Sequence, residues 1–360
     1  MVPDEPLDDE VLVERAGGLG RLVLNRPRAI NALNHSMVRI LAAALVDWES
    51  DDAVRTVLLS GAGDRGLCAG GDIVAIYTAV RDGRDDAVRF WADEYALDAA
   101  IARYPKPHVA LMDGLVLGGG IGLSAHGGIR VVTERTRIGM PEVSIGFFPD
   151  VGGTYLLARS PGELGTHLGL TGGTASGADA IALGFADHFV PSERLPELAA
   201  ALETRGADDV IAEFAVEPPP SELLAQRPWI DELYAGDDAE AIVERLTGSH
   251  ESAAQEAAAT IRSKSPTSVA VTLAALRRAA VLDSLEAALD QDYRVATRIS
   301  LGTEVIEGIR AQVIDKDRNP RWSPATLAGV TADAVEEYFA PLAGGELGLA
   351  TASARTRSES

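Results

Sequence analysis

The chain reads as an α/β protein with a helical C-terminal extension, and three observations predict it. Short apolar stretches bounded by glycine alternate with longer stretches of helical period over the first 200 residues or so. The recurring unit is strand–strand–helix, which departs from the strand–helix–strand of a doubly wound nucleotide-binding sheet. Beyond Asp208 glycine thins out and the period becomes helical almost throughout.

Residues 11–14 and 21–24 are expected as short strands joined by the Gly17-Gly18-Leu19-Gly20 turn, a hairpin pattern. Residues 31–48 carry helical periodicity, with Met37, Ile40, Leu41, Ala44 and Leu45 on one face. Residues 56–60 form a compact apolar strand, and residues 61–71 a loop. Residues 73–104 are helical with a break at Arg81-Asp82-Gly83. A strand at 108–112 is followed by a short apolar helix at 118–125, and strands at 129–133 and 137–139 complete another pair. Further on, residues 221–234, 239–246, 252–264, 265–282 and 284–310 read as successive helices, with Pro218-Pro219-Pro220 marking the seam. The expected organisation is a flexible N-terminus (1–10), a catalytic core (11–205), a helical region (206–340) and a disordered tail (341–360), small and polar in composition.

Bulk composition narrows the function classes. With 360 residues and 46% hydrophobic content, core size is not limiting. A net charge of -22 argues against nucleic acid or an anionic membrane as partner, because phosphate neutralisation needs clustered Lys and Arg. No apolar run reaches the roughly 18 residues needed to cross a bilayer. The single cysteine, Cys68, allows no intrachain disulfide and fits a reducing cytoplasm, the expected location. As a thiol beside a glycine cluster it has a reactive reading, but a small apolar core residue is the simpler one.

The chemistry concentrates in three glycine-containing segments: Ala69-Gly70-Gly71-Asp72, Gly118-Gly119-Gly120, and the run from Met140 through Pro141, Glu142 and Asp150 to Gly153. The first two each follow a strand and open a helix, where bare amides favour negative charge. Two such amides aimed at one point form an oxyanion hole, worth about 3–4 kcal/mol per donor to a transition state. Glu142 and Asp150 are acids in apolar surroundings, the raw material of acid–base or nucleophilic chemistry. Each residue also has an ordinary reading: tight turns for the glycines, a cap or strand-end acid for Glu142, and a helix N-cap for Asp150. The Gly118–Gly122 run fails the dinucleotide fingerprint on spacing, and no phosphate-loop motif is present. Ser124 and His126 lie in no nucleophile-elbow motif, and the histidines show no metal-ligand spacing. Arg26 and Arg28 are read as solvated residues at a turn.

Together with Leu24-Asn25-Arg26-Pro27 upstream, the three segments in this order resemble the crotonase (enoyl-CoA hydratase/isomerase) superfamily. That resemblance implies a spiral of strand–strand–helix turns and an acyl-CoA thioester substrate. It places the two oxyanion amides on Gly71 and Gly119. Within the superfamily the chain is similar to the 3-hydroxyisobutyryl-CoA hydrolase family, through Ala92-Asp93-Glu94-Tyr95, Gly118 to Ser124, the Glu142/Asp150 run, and Glu307-Gly308-Ile309-Arg310-Ala311 with Ile314-Asp315-Lys316-Asp317. One departure from the hydratase pattern stands out. Hydratases carry two catalytic glutamates, and the first position here is Gly122, whereas the second survives as Glu142.

The resemblance implies Glu142 as nucleophile or as base for a water, Asp150 as partner of a substrate 3-hydroxyl or as proton relay, and Glu94 with Gly70 as further substrate contacts. On its own Glu94 would read as a solvated helix residue. The implied reaction is hydrolysis of a short branched 3-hydroxyacyl-CoA, as in valine breakdown. The alternatives are a hydratase or isomerase and a catalytically silent acyl-CoA-binding protein. No metal or redox cofactor is implied, and a homo-oligomer is compatible with the family.

Overall fold

The computed structural model describes residues 10–353. In chain order come β1 (Val11–Ala16), β2 (Leu19–Leu24), α1 (His35–Glu49), β3 (Thr56–Gly61), β4 (Gly66–Cys68), α2 (Ile73–Arg81) and α3 (Asp86–Ala102). There follow β5 (His108–Met112), β6 (Leu115–Leu117), α4 (Gly119–Ala125), β7 (Ile129–Val132), β8 (Arg137–Gly139), α5 (Gly153–Leu157), α6 (Leu164–Thr171), β9 (Thr174–Ser176), α7 (Gly177–Ala182) and β10 (His188–Phe189). Helices α8 (Leu195–Leu202), α9 (Ala207–Phe214), α10 (Glu222–Ala225), α11 (Arg227–Leu233), α12 (Ala239–Gly248), α13 (Ser252–Arg262), α14 (Pro266–Ala279), α15 (Leu285–Ile299), α16 (Glu304–Ile309) and α17 (Ala332–Glu337) follow.

The strand–strand–helix unit explains the two sheets. In β3/β4, β5/β6 and β7/β8 the first strand joins a six-stranded sheet in the order β1-β2-β3-β5-β7-β10 and the second a four-stranded sheet, β4-β6-β8-β9; β1 and β2 both belong to the first sheet. Pairings β2·β3, β3·β5, β5·β7 and β7·β10 are parallel, so these strands are covered on both faces. That is why they read as continuous apolar runs: all five residues of β5 are buried. One face meets Leu198, Leu202, Val210, Ile211 and Phe214 of α8 and α9. The larger core runs from Val11 through the helical extension to Phe339 without interruption.

Several elements differ from expectation, each for a local reason. Helix α1 starts at His35, not at position 31. The Asn34 side chain accepts from the Met37 N–H and caps it. Asn31 is instead buried in a left-handed conformation (φ 55°), its amide donating to the Ala62 and Gly66 carbonyls. The 61–71 loop contains β4 and the 112–118 connection contains β6, strands of three residues whose pairing across the chain is invisible to periodicity.

The C-terminal tail is not disordered as far as Ser353. Glu346 pairs with Arg294, the Leu349 and Ala350 N–H groups donate to the Asp290 carboxylate, and residues 349–353 form a helical turn. Composition missed this because the tail is anchored by α15, not by its own hydrophobicity. Residues 354–360 lie outside the described residues, as do residues 1–9 of the expected flexible N-terminus. Glu10 itself is tied down, accepting from the Asn34 side chain at 2.6 Å.

Candidate active site

The two glycine loops converge. Gly70 adopts φ +99°, and a side chain there would press on the Leu117 carbonyl at 3.3 Å, so the loop after β4 lies directly against the loop after β6. The Gly71 amide nitrogen lies 3.6 Å from where a Cβ on Gly119 would stand. Neither the Gly71 nor the Gly119 N–H finds an acceptor among the described residues. Two unspent amides thus stand side by side, before α2 and at the start of α4, the arrangement an oxyanion hole requires.

The acids surround that pair of amides. Glu142 opens a 3-10 turn, Glu142–Ile145, and is 8% exposed; its Oε1 lies 2.6 Å from the Cβ position of Gly118, and its Oε2 has no partner. Glu94 projects from the buried face of α3, with Oε1 2.5 Å from the Cβ position of Gly119 and no partner. The glycines at 118 and 119 thus make room for two carboxyl groups. Asp150 is buried, and its Oδ2 accepts a 2.7 Å hydrogen bond from the Tyr95 hydroxyl. Its side chain caps no helix, for α5 begins behind Gly152 without a side-chain cap. Gly70, Gly71, Glu94, Gly119, Glu142 and Asp150 all line one cavity of about 460 Å³. Apolar walls come from Ile73, Phe90, Trp91 and Phe147, and from Val305 and Ile309 of α16.

Burial dominates the electrostatics. It pushes Glu142 well above the ordinary carboxylate range, with the Asp150 charge adding to it. Glu94 is raised well above that range by burial, then by Asp150, Asp98 and Glu142. Asp150 is pushed up to about 7 by burial, with the Tyr95 hydrogen bond and a backbone contact pulling the other way. Among the described residues no Lys or Arg forms an ion pair with Glu94, Asp98, Glu142, Asp150 or Asp292, and no three of the His, Cys, Asp or Glu groups are arranged to hold a cation. Cys68 is a buried core thiol, pushed up to about 12 by desolvation. Ser124 donates to the Gly120 carbonyl and His126 to the Val151 carbonyl, which leaves them in structural roles.

Four contributions escaped sequence reasoning. Tyr95 sits inside a quoted motif, yet its bond to Asp150 spans 55 positions. Asp98 follows Glu94 at helical spacing and is fully buried, a signal available in the sequence as acids at i and i+4 amid apolar residues. Asp292, on α15, accepts from the Gly152 N–H at 2.9 Å and from the Thr154 hydroxyl at 3.0 Å, steadying the segment after Asp150; nothing local announces it. Finally, α16 meets the Glu142 turn backbone to backbone. A Cβ on Gly308 would fall inside the Ile145 backbone, and one on Gly146 inside that of Glu304. The Glu307/Arg310/Asp315/Asp317 cluster, joined by ion pairs of 2.7–2.8 Å, then fastens the chain beyond α16.

Residues 19–339 match the family model described as enoyl-CoA hydratase/isomerase. The chain is 40% identical over 353 residues to the Xenopus tropicalis protein named 3-hydroxyisobutyryl-CoA hydrolase, mitochondrial, covering 95% of this chain and 91% of the relative. The Homo sapiens protein of the same name is 37% identical over 350 residues, covering 94% and 90%. Among solved structures, one titled a carnitinyl-CoA dehydratase from Mycobacterium thermoresistibile superposes with a TM-score of 0.91 at 54% identity, covering 94% of this chain and 98% of that one. Another, titled an enoyl-CoA hydratase from Rhodobacter sphaeroides, gives 0.89 at 41% identity, covering 94% and 99%. Fold, paired glycine amides and the Pro141-Glu142 acid therefore lead to one assignment: the chain belongs to the enoyl-CoA hydratase/isomerase (crotonase) family.

Proposed function

We propose that this protein hydrolyses a short branched 3-hydroxyacyl-CoA, 3-hydroxyisobutyryl-CoA, to the free acid and CoA. The observation that carries the reading is at position 122. Syn-addition of water to a double bond uses two carboxylates, and Gly122 supplies none. The room a side chain would need there is filled by the Asp98 carboxyl group and by Val151. With no carboxylate at position 122, Glu142 is the acid left to act beside the paired amides, an arrangement that suits acyl transfer, and the curated relatives at about 40% identity carry the hydrolase name.

The Gly71 and Gly119 N–H groups hold the thioester oxygen as it gains charge. The Glu142 carboxylate attacks the carbonyl carbon, the C–S bond breaks, and CoA leaves as a thiolate that takes a proton. Water then opens the mixed anhydride. In the variant of this path Glu142 instead takes the proton of a water that attacks the same carbon. Asp150, in its charged form, accepts a hydrogen bond from the substrate's 3-hydroxyl or relays the proton of the attacking water. Glu94, uncharged, donates to the acyl portion.

The reading places the enzyme in valine breakdown and in the cytoplasm. The second is supported by a lone, buried Cys68; the matched vertebrate relatives are named mitochondrial, and cell fractionation decides it. Thiol release over a panel of acyl-CoAs tests the activity. Glu142→Gln should lower turnover by about 10²–10⁴-fold while acyl-CoA still binds; unchanged turnover ends the assignment. The hydratase reading is favoured by the titles of the most similar solved structures named above. It requires loss of the conjugated-thioester absorbance of crotonyl-CoA without thiol release.

A further inference from the structure

Asp98 lies one turn beyond Glu94 on the same face of α3 and is fully buried. Neither of its carboxyl oxygens meets a donor among the described residues. It does not line the acyl cavity. What it touches is Gly122: a Cβ there would lie 2.7 Å from Asp98 Oδ2, 2.8 Å from Oδ1, and 2.8 Å from the Val151 Cβ. Position 122 is therefore bare so that two groups from other elements can meet over it.

Val151 is the second of these groups, and it is strained. Its φ is +53°, a conformation costly for a β-branched residue and kept only where the surroundings enforce it. It follows Asp150 directly, so its backbone sets where the Asp150 side chain points. Three contacts hold this turn. His126 Nε2 donates to the Val151 carbonyl at 2.8 Å, the Gly152 N–H donates to Asp292 Oδ2 at 2.9 Å, and the Asp98 carboxyl group shares with Val151 the space above Gly122. An ionised carboxylate with no donor in a dry site is prohibitively costly, so Asp98 is there as the neutral acid. Burial, with the charges of Asp150 and Asp292 nearby, keeps its proton on well above the ordinary carboxylate range.

We propose that Asp98 is a positioning residue: as an uncharged acid it fills the space opposite Gly122 and clamps the strained Asp150–Val151 turn, keeping Asp150 aimed into the acyl cavity. The consequence for catalysis rests on the hydrolase reading above, whereas the clamp itself does not.

The test uses the full-length chain with Asp98→Asn, Asp98→Ala, Gly122→Ala and the Asp98→Ala/Gly122→Ala double variant, measuring kcat and KM for thiol release from 3-hydroxyisobutyryl-CoA together with thermal unfolding midpoints. Asp98→Ala should lower kcat about 10–100-fold with KM nearly unchanged, because the acid is misaimed while the acyl-CoA still binds. Asp98→Asn, neutral and equal in size, should restore kcat to within about threefold of the parent. Gly122→Ala, which drives a methyl into the clamp, should match Asp98→Ala, and the double variant should be less impaired than the product of the singles. Parental kcat in Asp98→Ala overturns the proposal, and so does an Asp98→Asn variant as impaired as Asp98→Ala. If the parent releases no thiol from any acyl-CoA, the hydrolase reading fails on its own. The unfolding midpoints then decide the clamp: non-additive shifts for positions 98 and 122 uphold it, and additive shifts overturn it. If Asp98→Ala does not fold, Asp98→Asn against Gly122→Ala carries the same comparison.

Discussion

The Tyr95 hydroxyl donates a 2.7 Å hydrogen bond to Asp150 Oδ2 inside a site where, among the described residues, no Lys or Arg forms an ion pair with the acids. That donor, with a backbone contact, favours the charged form of Asp150 against burial, which drives the group up to about 7. Removing it should move the acid in a known direction. In Tyr95→Phe the Asp150 carboxyl should titrate higher by about 1 pH unit, the worth of a charge-assisted hydrogen bond. The pH profile of thiol release reads this as an acidic limb displaced upward; a profile identical to the parent's would remove Asp150 from the step.

The same value makes a statement about the parent enzyme. Both carboxylates act charged in the proposed reaction, so kcat/KM for thiol release should rise with pH as Asp150, raised to about 7, and Glu142, raised well above the ordinary carboxylate range, lose their protons, with the rise still under way at pH 7. A rate flat from pH 5 to pH 8 would contradict that assignment.

Stability should run the other way. Asp150 ordinarily titrates at 3.8 and in the fold at about 7. Between these values the folded state holds the extra proton, so stability falls as pH rises through the window. Asp150→Asn never charges and escapes this penalty. It should be inactive or nearly so, yet more stable than the parent by about 1–3 kcal/mol at pH 8, with the gain gone near pH 4. Thermal denaturation at the two pH values measures it.

Gly308 and Ile145 are packed with no space for a side chain between them. Gly308→Ala should therefore push α16 off the Glu142 turn, destabilising the fold by about 1–3 kcal/mol and lowering kcat for thiol release. A variant with parental unfolding midpoint and kcat would show that α16 does not support Glu142.

Cys68 should be silent in the very assay that tests the function. It is buried, with its Sγ 3.2 Å from the Asn31 carbonyl, and desolvation raises the thiol to about 12. A disulfide dye should find no thiol in the native chain and the single thiol of the sequence after denaturation. Rapid labelling of native protein would show the β4 loop to be open.

What the amino-acid sequence determined by itself is the local grammar. Apolar runs of strand length, helical periods and capping residues mark most elements within a few residues, and glycines at 70, 71, 118 and 119 announce bare amides before helices. The Pro141-Glu142 and Pro149-Asp150 pairs stand out because acids are rare in apolar runs. The three-residue strands β4 and β6 stayed hidden because their pairing partners lie far along the chain and three residues carry no period. Asn31 left the helix for the same kind of reason: its hydrogen bonds go to carbonyls more than 30 positions away.

Tertiary structure alone decided the charge state and aim of the acids. Whether Glu94 is solvated or buried, whether Asp98 meets Gly122, and whether Tyr95 and Asp292 steady the Asp150 segment all depend on which helix packs where. A carboxyl group's proton affinity is set by the water it loses and the donors it gains, and both come from residues distant in the chain. Local pattern therefore named the groups that can do chemistry, and packing settled which of them are held, uncharged or aimed, around one pair of amides.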